Sequence, residues 1–433
     1  MLPRWHPREH LALARYALRW LLIATPIAIV VGLACAIFLY ALDRVTTYRE
    51  KHAAILYFLP LAGVVIAAVY YYLGKPAEPG NSLIIDEIHQ PSAGVPARMA
   101  PLIFLTTIIT HLFGGSAGRE GTAIQMGGSI SASLARPFHL SPHTTRTLLM
   151  LGMAAGFGAV FGTPLAGAVF AMEVLSIGLL SYESLLPCLI ASIVADFTCT
   201  FALHPTGVSH TDYHIHLILP HLHLPTLFYI ALSSIAFGLA ARLFAELTHS
   251  LARLFKPLHP LIRPLLGGLI IIASVYLLHT RDYLGLGVHP SPAGHVSIVT
   301  SFTPEGSDSF SFLAKLLLTA ITLSSGFKGG EVTPLFFIGA TLGNSCAKLL
   351  HIPAATFALF PAAGFVAVFA GATNTPLVCT LMGIELFGGD HSIYLATACF
   401  TAYFFSGHSS IYPSQRLATP KHNSPQMAEK KNI

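Results

Sequence analysis

The chain has 433 residues, of which 54% are hydrophobic and only 10% are Asp, Glu, Lys or Arg. Soluble globular proteins carry about a quarter charged residues, so a soluble enzyme or a soluble nucleic-acid-binding protein is excluded. The net charge of +5 is small for this length and indicates no polyanionic partner such as a nucleic acid. What remains is a polytopic integral membrane protein.

Long stretches without charged side chains predict membrane-spanning helices. A hydrocarbon core of about 30 Å needs roughly 20 apolar residues in a helix, and no stretch alternates in polarity as a membrane β-strand would. The fold class is therefore all-α. In chain order, the long stretches are 20–42, 52–74, 99–118, 147–172, 213–241, 349–384 and 391–415.

Three further apolar or Gly-rich stretches, 121–135, 316–327 and 332–347, are too short to cross a bilayer. They predict helices that begin or end part-way through the membrane. Irregular backbone at that depth is tolerated only inside protein or beside a polar cavity. Broken helices with glycine at the breaks therefore indicate a transport pathway.

The charges at the two ends of the chain predict its orientation. Basic residues precede the first apolar stretch and recur after residue 415, so both termini are expected in the cytoplasm. The compact form indicates a prokaryotic inner membrane. The six cysteines lie in apolar segments without metal-ligand spacing and are expected to be core thiols, and no cofactor is predicted.

A repeated segment divides the chain into two halves. The run Ala154–Phe161 recurs with one change as Ala362–Phe369, and Thr163-Pro164-Leu165 recurs as Thr375-Pro376-Leu377. We expect a first membrane repeat over 1–225, a second over 226–416, and a short cytoplasmic tail without a regulatory domain over 417–433. An odd number of crossings per half would invert the second copy, and inverted repeats place the substrate at the bilayer midplane.

A histidine-rich segment connects the halves. It holds His204, His210, His214, His216, His221 and His223. A metal site is one interpretation, but no helical pair of histidines is flanked by a carboxylate, and a polar loop on the outer face is favoured.

Glycine-rich breaks lead directly into apolar helices at three places. Two are Gly114–Thr122 and Gly326–Pro334, and the third is Pro79–Ser82. The free N–H groups and the positive end of a helix dipole form an anion site. Three such helix starts converging near the midplane could hold an anion without a buried cation.

These motifs resemble the CLC family of chloride channels and anion/proton exchangers. Gly118-Arg119-Glu120-Gly121 is similar to its G-[KR]-E-G motif, and Gly330–Pro334 to its G-x-F-x-P motif. The segment from Pro164 to Glu173 is similar to the family's next helix. The resemblance covers the whole chain and implies two inverted repeats, about eighteen helices and a homodimer in which each subunit has its own pathway.

Four departures from the chloride-transporting pattern resemble the fluoride-exporting branch. Gly80-Asn81 replaces a serine loop, Thr122 replaces a proline, and Val332 replaces the phenylalanine of G-x-F-x-P. Proton-coupled chloride exchangers carry two consecutive glutamates where this chain has Glu173 followed by Val174.

Glu120 is the expected gating and proton-coupling residue. A carboxylate at membrane depth is costly, and when ionised it can take the place of a transported anion. The alternative is an ion pair with Arg119, which is disfavoured because adjacent residues in a helix rarely face each other.

Donors around Glu120 complete the expected anion site. Asn81 could instead be an ordinary N-cap, Thr333 could bond within its helix, and Tyr412, which resembles the family's C-terminal tyrosine, could be an interfacial residue. Glu331 is expected to be structural or vestibular, and Glu173 and Glu385 to be helix-end charges or subunit contacts. The expected anion-binding residues are Gly80, Asn81, Gly118, Arg119, Gly121, Val332, Thr333 and Tyr412.

The resulting hypothesis is a transporter in the lipid bilayer that exports fluoride in exchange for protons. The same fold handling chloride, as a channel or a proton exchanger, is the alternative. A membrane-embedded enzyme using the histidines lacks a metal-ligand pair, and a purely structural protein would not need paired broken helices.

Overall fold

The computed structural model describes residues 7–138, 141–211, 213, 222–288 and 296–422, and the regular secondary structure in these ranges is almost all helical. Short 3₁₀ or π turns connect several of the helices, among them Ala53–Phe58 and Tyr70–Gly74. The α-helices are α1 (Pro7–Lys51), α2 (Leu59–Val69), α3 (Asn81–His89), α4 (Met99–Leu112), α5 (Glu120–Ala135), α6 (Pro142–Phe161), α7 (Pro164–Glu173), α8 (Leu185–Leu203), α9 (Leu224–Phe255), α10 (Ile262–Leu278), α11 (Ser311–Ser324), α12 (Val332–Leu349), α13 (Ala354–Phe357), α14 (Leu359–Thr373), α15 (Pro376–Phe387) and α16 (Ser392–Phe405).

Six helical stretches within the described ranges are long and apolar enough to cross a membrane. Shorter apolar helices, including α4, α7 and α15, lie between or after them. The predicted all-α membrane fold is therefore confirmed. The six stretches are Glu9–Lys51, Ala53–His89, Pro142–Phe161, Tyr182–Thr206, Leu224–Phe255 and Ala354–Thr373.

Two of the long uncharged stretches, expected as single spans, are each divided into separate helices. In 147–172, α6 ends at Gly162 with a left-handed φ of 71°, and α7 begins two residues later at a proline. In 349–384, α14 ends at Asn374 with a φ of 58°, and α15 again begins at a proline. A residue with left-handed φ ends a helix, and proline favours the first turn of the next one. The prediction from charge-free stretches therefore made these helices too long.

Glycines bring neighbouring helices into backbone contact at equivalent places in the two halves. A Cβ added to Gly127 of α5 would lie 2.0 Å from the carbonyl oxygen of Gly152 in α6. A Cβ added to Gly339 of α12 would lie 2.0 Å from the carbonyl oxygen of Gly364 in α14. Small residues permit such close packing between membrane helices, and the packing holds α5 against α6 and α12 against α14.

Two glutamates connect the halves by binding each other's helices. Glu385, near the end of α15, accepts hydrogen bonds from the N–H groups of Leu165 at 2.9 Å and Ala166 at 2.8 Å, at the start of α7. Glu173, at the end of α7, accepts two from the start of α15, at 3.1 and 2.8 Å. A carboxylate at a helix N-terminus satisfies free amides and complements the dipole. These helix-end charges therefore make contacts within one chain.

The chain returns to its own interior near the C-terminal end. Strand β2 (Arg416–Leu417) pairs in parallel with β1 (Ser176–Ile177), which follows α7.

All six cysteines are unpaired thiols, and five of them are buried.

Candidate functional site

Three helix N-termini, those of α3, α5 and α12, converge at one point. The backbones of Gly118 and Gly330 pair across the two halves, with N–O distances of 2.6 and 2.8 Å in the two directions. A Cβ on Gly121 would lie 3.1 Å from Asn81 Nδ2, at the start of α3, and 3.2 Å from the Cα of Gly330. Glycine is required at these positions because two backbones and a polar side chain meet there.

The Glu120 side chain lies at this convergence and is 1% exposed. Its Oε2 accepts hydrogen bonds from the N–H groups of Arg119 and Thr333, both at 3.1 Å. Its Oε1 accepts one from the Thr333 hydroxyl. The carboxylate therefore occupies the N-terminal ends of α5 and α12, where helix geometry favours an anion.

Arg119 forms the ion pair with Glu120 that the sequence disfavoured, with Nε 3.5 Å from Oε1. The rule about adjacent residues holds inside a helix, but Arg119 is the N-cap of α5 and has a φ of −118°. Its side chain can therefore turn towards the next residue. The functional and ion-pair interpretations of Glu120 are both compatible with this geometry.

Asn81 is the first residue of α3 rather than its N-cap, which is Gly80 with a φ of 62°. The N-cap interpretation of Asn81 was therefore wrong. Asn81 Oδ1 is buried and has no hydrogen-bond partner within the described ranges. A Cβ on Gly80 would lie 3.1 Å from the buried Gln125 side-chain amide, so Gln125, not noticed in the sequence, is a further polar group at this end of α3.

Tyr412 is 3% exposed, which argues against an interfacial position. Its hydroxyl is buried and has no hydrogen-bond partner among the described residues. The groups that act on it electrostatically include Glu331 and Glu120. A buried hydroxyl without a partner is costly, so a group outside the described residues is expected to bind it.

The first two residues of α12, Val332 and Thr333, differ in whether their side chains can hydrogen-bond at the site. Thr333 supplies both its amide and its hydroxyl to Glu120, rather than bonding back within its helix. Val332 places its side chain in the core, with no exposed area.

Glu331 is closer to the site than the sequence suggested. Its Oε2 lies 3.4 Å from the position that a Cβ on Gly121 would take. This oxygen is buried and has no hydrogen-bond partner in the described part of the chain. The signal in the sequence was its pairing with Glu120 in the two halves.

A cavity of about 240 Å³ leads towards Glu120. Charged side chains of both signs line it, including Arg49, Arg281 and Asp43. A smaller space continues from it to Glu120 and Thr333, and the two spaces share Arg119, Thr211 and Val288. The smaller space is lined largely by aromatic rings, those of Phe161, Tyr213, Phe336 and Phe365.

The histidine-rich segment lies only partly within the described residues. His210 bonds the Ala159 carbonyl oxygen at 2.8 Å, and His223 caps the start of α9 through Thr226. The described residues contain no group of His, Cys, Asp or Glu arranged to hold a metal ion. His214, His216 and His221 lie outside the described residues.

Comparison with known proteins identifies the family. Residues 62–407 match the family described as "Voltage gated chloride channel". The chain belongs to this family. Its membership confirms the CLC fold and a multi-pass integral membrane protein, and the family consists of anion channels and transporters.

Three individual proteins show how similar this chain is to known members of the CLC family. A Pseudomonas syringae protein named "Chloride/fluoride channel protein" is 45% identical over 96% of this chain and 90% of its own. A crystal structure of a CLC-type fluoride/proton antiporter superposes with a TM-score of 0.85 at 34% identity, covering 92% of this chain and 98% of its own. A Cronobacter sakazakii H⁺/Cl⁻ exchange transporter is 28% identical over 88% of this chain and 84% of its own.

Proposed function

We propose that this protein exports fluoride by fluoride/proton antiport and that Glu120 couples the two ions. The observation that carries the proposal is the position of the Glu120 carboxylate, bound by two amides and a hydroxyl at two helix N-termini. An anion of the protein occupies a site built for an anion. The names of the relatives above include both fluoride transport and proton antiport.

The same hydrogen bonds supply the coupling step. A carboxylate accepts charge-assisted hydrogen bonds that are roughly twice as strong as neutral ones. When Glu120 is protonated, its hydrogen bonds are no longer charge-assisted and weaken. The Thr333 donors then become free, so fluoride can replace the carboxyl group. When fluoride leaves, Glu120 loses its proton and returns.

Selectivity for fluoride follows from the number of close donors. Fluoride is small and strongly hydrated, so a site must replace more of its water than for chloride. We assign the side-chain donors of the site to Asn81, Thr333 and Tyr412, beside the helix amides. The backbone positions Gly80, Gly118, Gly121 and Val332 and the ion-pairing Arg119 complete the proposed site.

Glu331 supports proton coupling because it brings a second carboxylate to the same place. Two buried carboxylates repel each other when both are ionised, so a neighbouring pair favours holding a proton. Its electrostatic neighbours include Glu120 and Lys328. We assign it the role of exchanging protons with Glu120.

The proposed assembly is a homodimer in a prokaryotic inner membrane, with both termini in the cytoplasm. Exposed phenylalanines on two helices, Phe197 and Phe201 of α8 and Phe400 and Phe404 of α16, offer apolar surface to lipid or a second subunit. We retain the division into repeats over 1–225 and 226–416 as part of this proposal.

The test is ion efflux from liposomes that hold the purified protein and are loaded with fluoride or with chloride. We expect fast fluoride efflux, slow chloride efflux and fluoride-driven proton uptake by the native chain. Glu120→Ala should abolish proton uptake. Glu305→Ala is a matched control for the loss of one carboxylate, since Glu305 is exposed outside the helices.

Equal or faster chloride efflux would overturn the proposed selectivity and favour a chloride transporter of the same fold. Fluoride flux without proton movement in the native chain would make the protein a channel, with Glu120 only as its gate. Proton uptake that survives in Glu120→Ala would move the coupling role to another residue.

A further inference from the structure

The segment that carries Tyr412, here called the C-terminal strap (residues 407–422), is hydrogen-bonded to the rest of the protein at several points. The Ile411 amide donates to the Ala372 carbonyl oxygen at 2.9 Å, next to the end of α14. The amides of Arg416 and Ala418 donate to carbonyl oxygens of the segment after α7, both at 3.1 Å. The position of Tyr412 therefore depends on these attachments.

Lys421 makes the last attachment of the strap. Its ammonium group donates to Asn374 Oδ1 at 2.6 Å, to the Tyr403 carbonyl oxygen, and to Ser406 Oγ at 3.2 Å. It also lies 3.7 Å from the centre of the Tyr403 ring, a cation–π distance. An ammonium group has three N–H donors, and each has an acceptor here.

Asn374 connects this lysine to both sides of Tyr412. While its Oδ1 accepts from Lys421, its Nδ2 donates to the Ser409 carbonyl oxygen and to Gln415 Oε1, both at 3.1 Å. Gln415 in turn donates to the carbonyl oxygens of Thr373 and Val174, at 2.8 and 2.9 Å. Residues 409 and 415 flank Tyr412 by three positions on each side, so these bonds hold the turn that presents its hydroxyl.

The charge on Lys421 is sensitive to pH in the neutral range. Burial disfavours the ammonium form and lowers the pKa of Lys421 from its ordinary value to about 7. The ammonium is therefore present below that pH and is lost as the pH rises through it. A neutral amine has two N–H donors, so at least one of the three acceptors loses its bond.

The titratable groups around Lys421 are His408, His422 and Tyr403. The Lys421 amide donates to His408 Nε2 at 3.0 Å, and the His408 ring stacks on His422 with centroids 5.3 Å apart. Burial, Lys421 and His422 all lower the pKa of His408, so this ring stays neutral where Lys421 titrates. Glu173, at the end of α7, acts electrostatically on Tyr403.

We propose that Lys421 is a pH-sensitive positioning residue for Tyr412. While its ammonium binds Asn374, Tyr403 and Ser406, the strap holds the Tyr412 hydroxyl at the anion site, and when the amine is neutral the strap loosens. The inference rests on the proposed fluoride contact of Tyr412. With the C-terminus in the cytoplasm, the protein would bind fluoride more weakly as the cytoplasm becomes alkaline.

The test compares the native chain with Lys421→Arg and Lys421→Met, using the fluoride dependence of efflux from liposomes at about pH 6.5 and about pH 8.5. Arginine stays charged at both values. From native to Lys421→Arg at the higher pH, we expect the apparent KM for fluoride to fall about threefold to tenfold, the effect of one hydrogen bond. Lys421→Met should show the raised KM at both pH values, and Lys256→Met, at an exposed lysine, should behave as the native chain.

A second readout does not depend on transport. Amide hydrogen exchange of Ile411, Arg416 and Ala418, compared between native and Lys421→Arg at the same pH, should be faster in the native chain only at the higher pH. Equal exchange, or a Lys421→Arg variant whose KM changes with pH as the native one does, would overturn the proposal. A native chain that moves no fluoride would refute the proposed function, while hydrogen exchange would still test the attachment of the strap.

Discussion

Thr333 has the most direct contact with the proposed coupling group, because it gives Glu120 both an amide and a hydroxyl hydrogen bond. Only the hydroxyl can be removed by substitution. The same hydroxyl is available to fluoride once Glu120 leaves, so it is expected to bind carboxylate and fluoride in turn.

Thr333→Val should raise the apparent KM for fluoride by about tenfold, because a hydrogen bond to a charged group contributes about 1.5 kcal/mol or more. The measurement is the initial rate of efflux against fluoride concentration. Thr341→Val is the matched control in the same helix, since the Thr341 hydroxyl donates to the Phe337 carbonyl oxygen at 2.8 Å within α12. An unchanged KM in Thr333→Val would remove this hydroxyl from the fluoride site.

At the scale of helices, the clearest stabilising feature is that a glutamate near the end of α7 caps the start of α15, and one near the end of α15 caps the start of α7. Each helix ends in or near a glutamate that caps the other, so neither helix N-terminus leaves its first amides without acceptors. The two short helices thus stabilise each other although they lie in different halves of the chain.

Glu385→Gln should lower the free energy of unfolding by about 1–2 kcal/mol, because the N-terminus of α7 loses a charged cap. Thermal unfolding in detergent would measure it, with fluoride efflux expected to remain proton-coupled. Glu183→Gln is the control, because Glu183 is half exposed and pairs with Arg146 at 3.8 Å, and exposed pairs contribute about 0–1 kcal/mol. Equal stability losses in the two variants would show that the cap contributes nothing beyond an ordinary surface charge.

For the whole molecule, every residue of the proposed site comes from one chain. Asn81, Glu120, Thr333 and Tyr412 belong to four different segments that this fold brings together. A dimer would therefore contain two complete pathways, and neither should need the other subunit for its chemistry.

Mixed dimers of one native subunit and one Glu120→Ala subunit should keep about half of the proton uptake of native dimers, as expected for independent sites. Differently tagged subunits, co-expressed and purified in sequence, would supply them for the liposome measurement. Complete loss of uptake would mean that the pathways are coupled, and a preparation that yields no mixed species would argue against the dimer.

The sequence predicted the parts of this molecule that local chemistry determines. Glycine runs beside Glu120 and Val332 indicated where α5 and α12 begin, and both helices begin there. The composition and the charge-free stretches predicted the membrane fold. Features that depend on tertiary placement were not predictable, such as the hydrogen bond from Lys421 to Asn374. The Arg119–Glu120 pair was missed because it depends on a backbone angle at one residue outside the helix.

The backbone pairing of Gly118 with Gly330 has a consequence for how access to the site alternates. Two hydrogen bonds of 2.6 and 2.8 Å join the halves of the chain at the place where the ion would pass. A rocking motion of one half against the other would have to break both, and buried backbone groups that lose their partners are costly. The two halves are therefore expected to keep their relative position during a transport cycle. Rotation of side chains such as that of Glu120 would open the site to one side of the membrane and close it to the other.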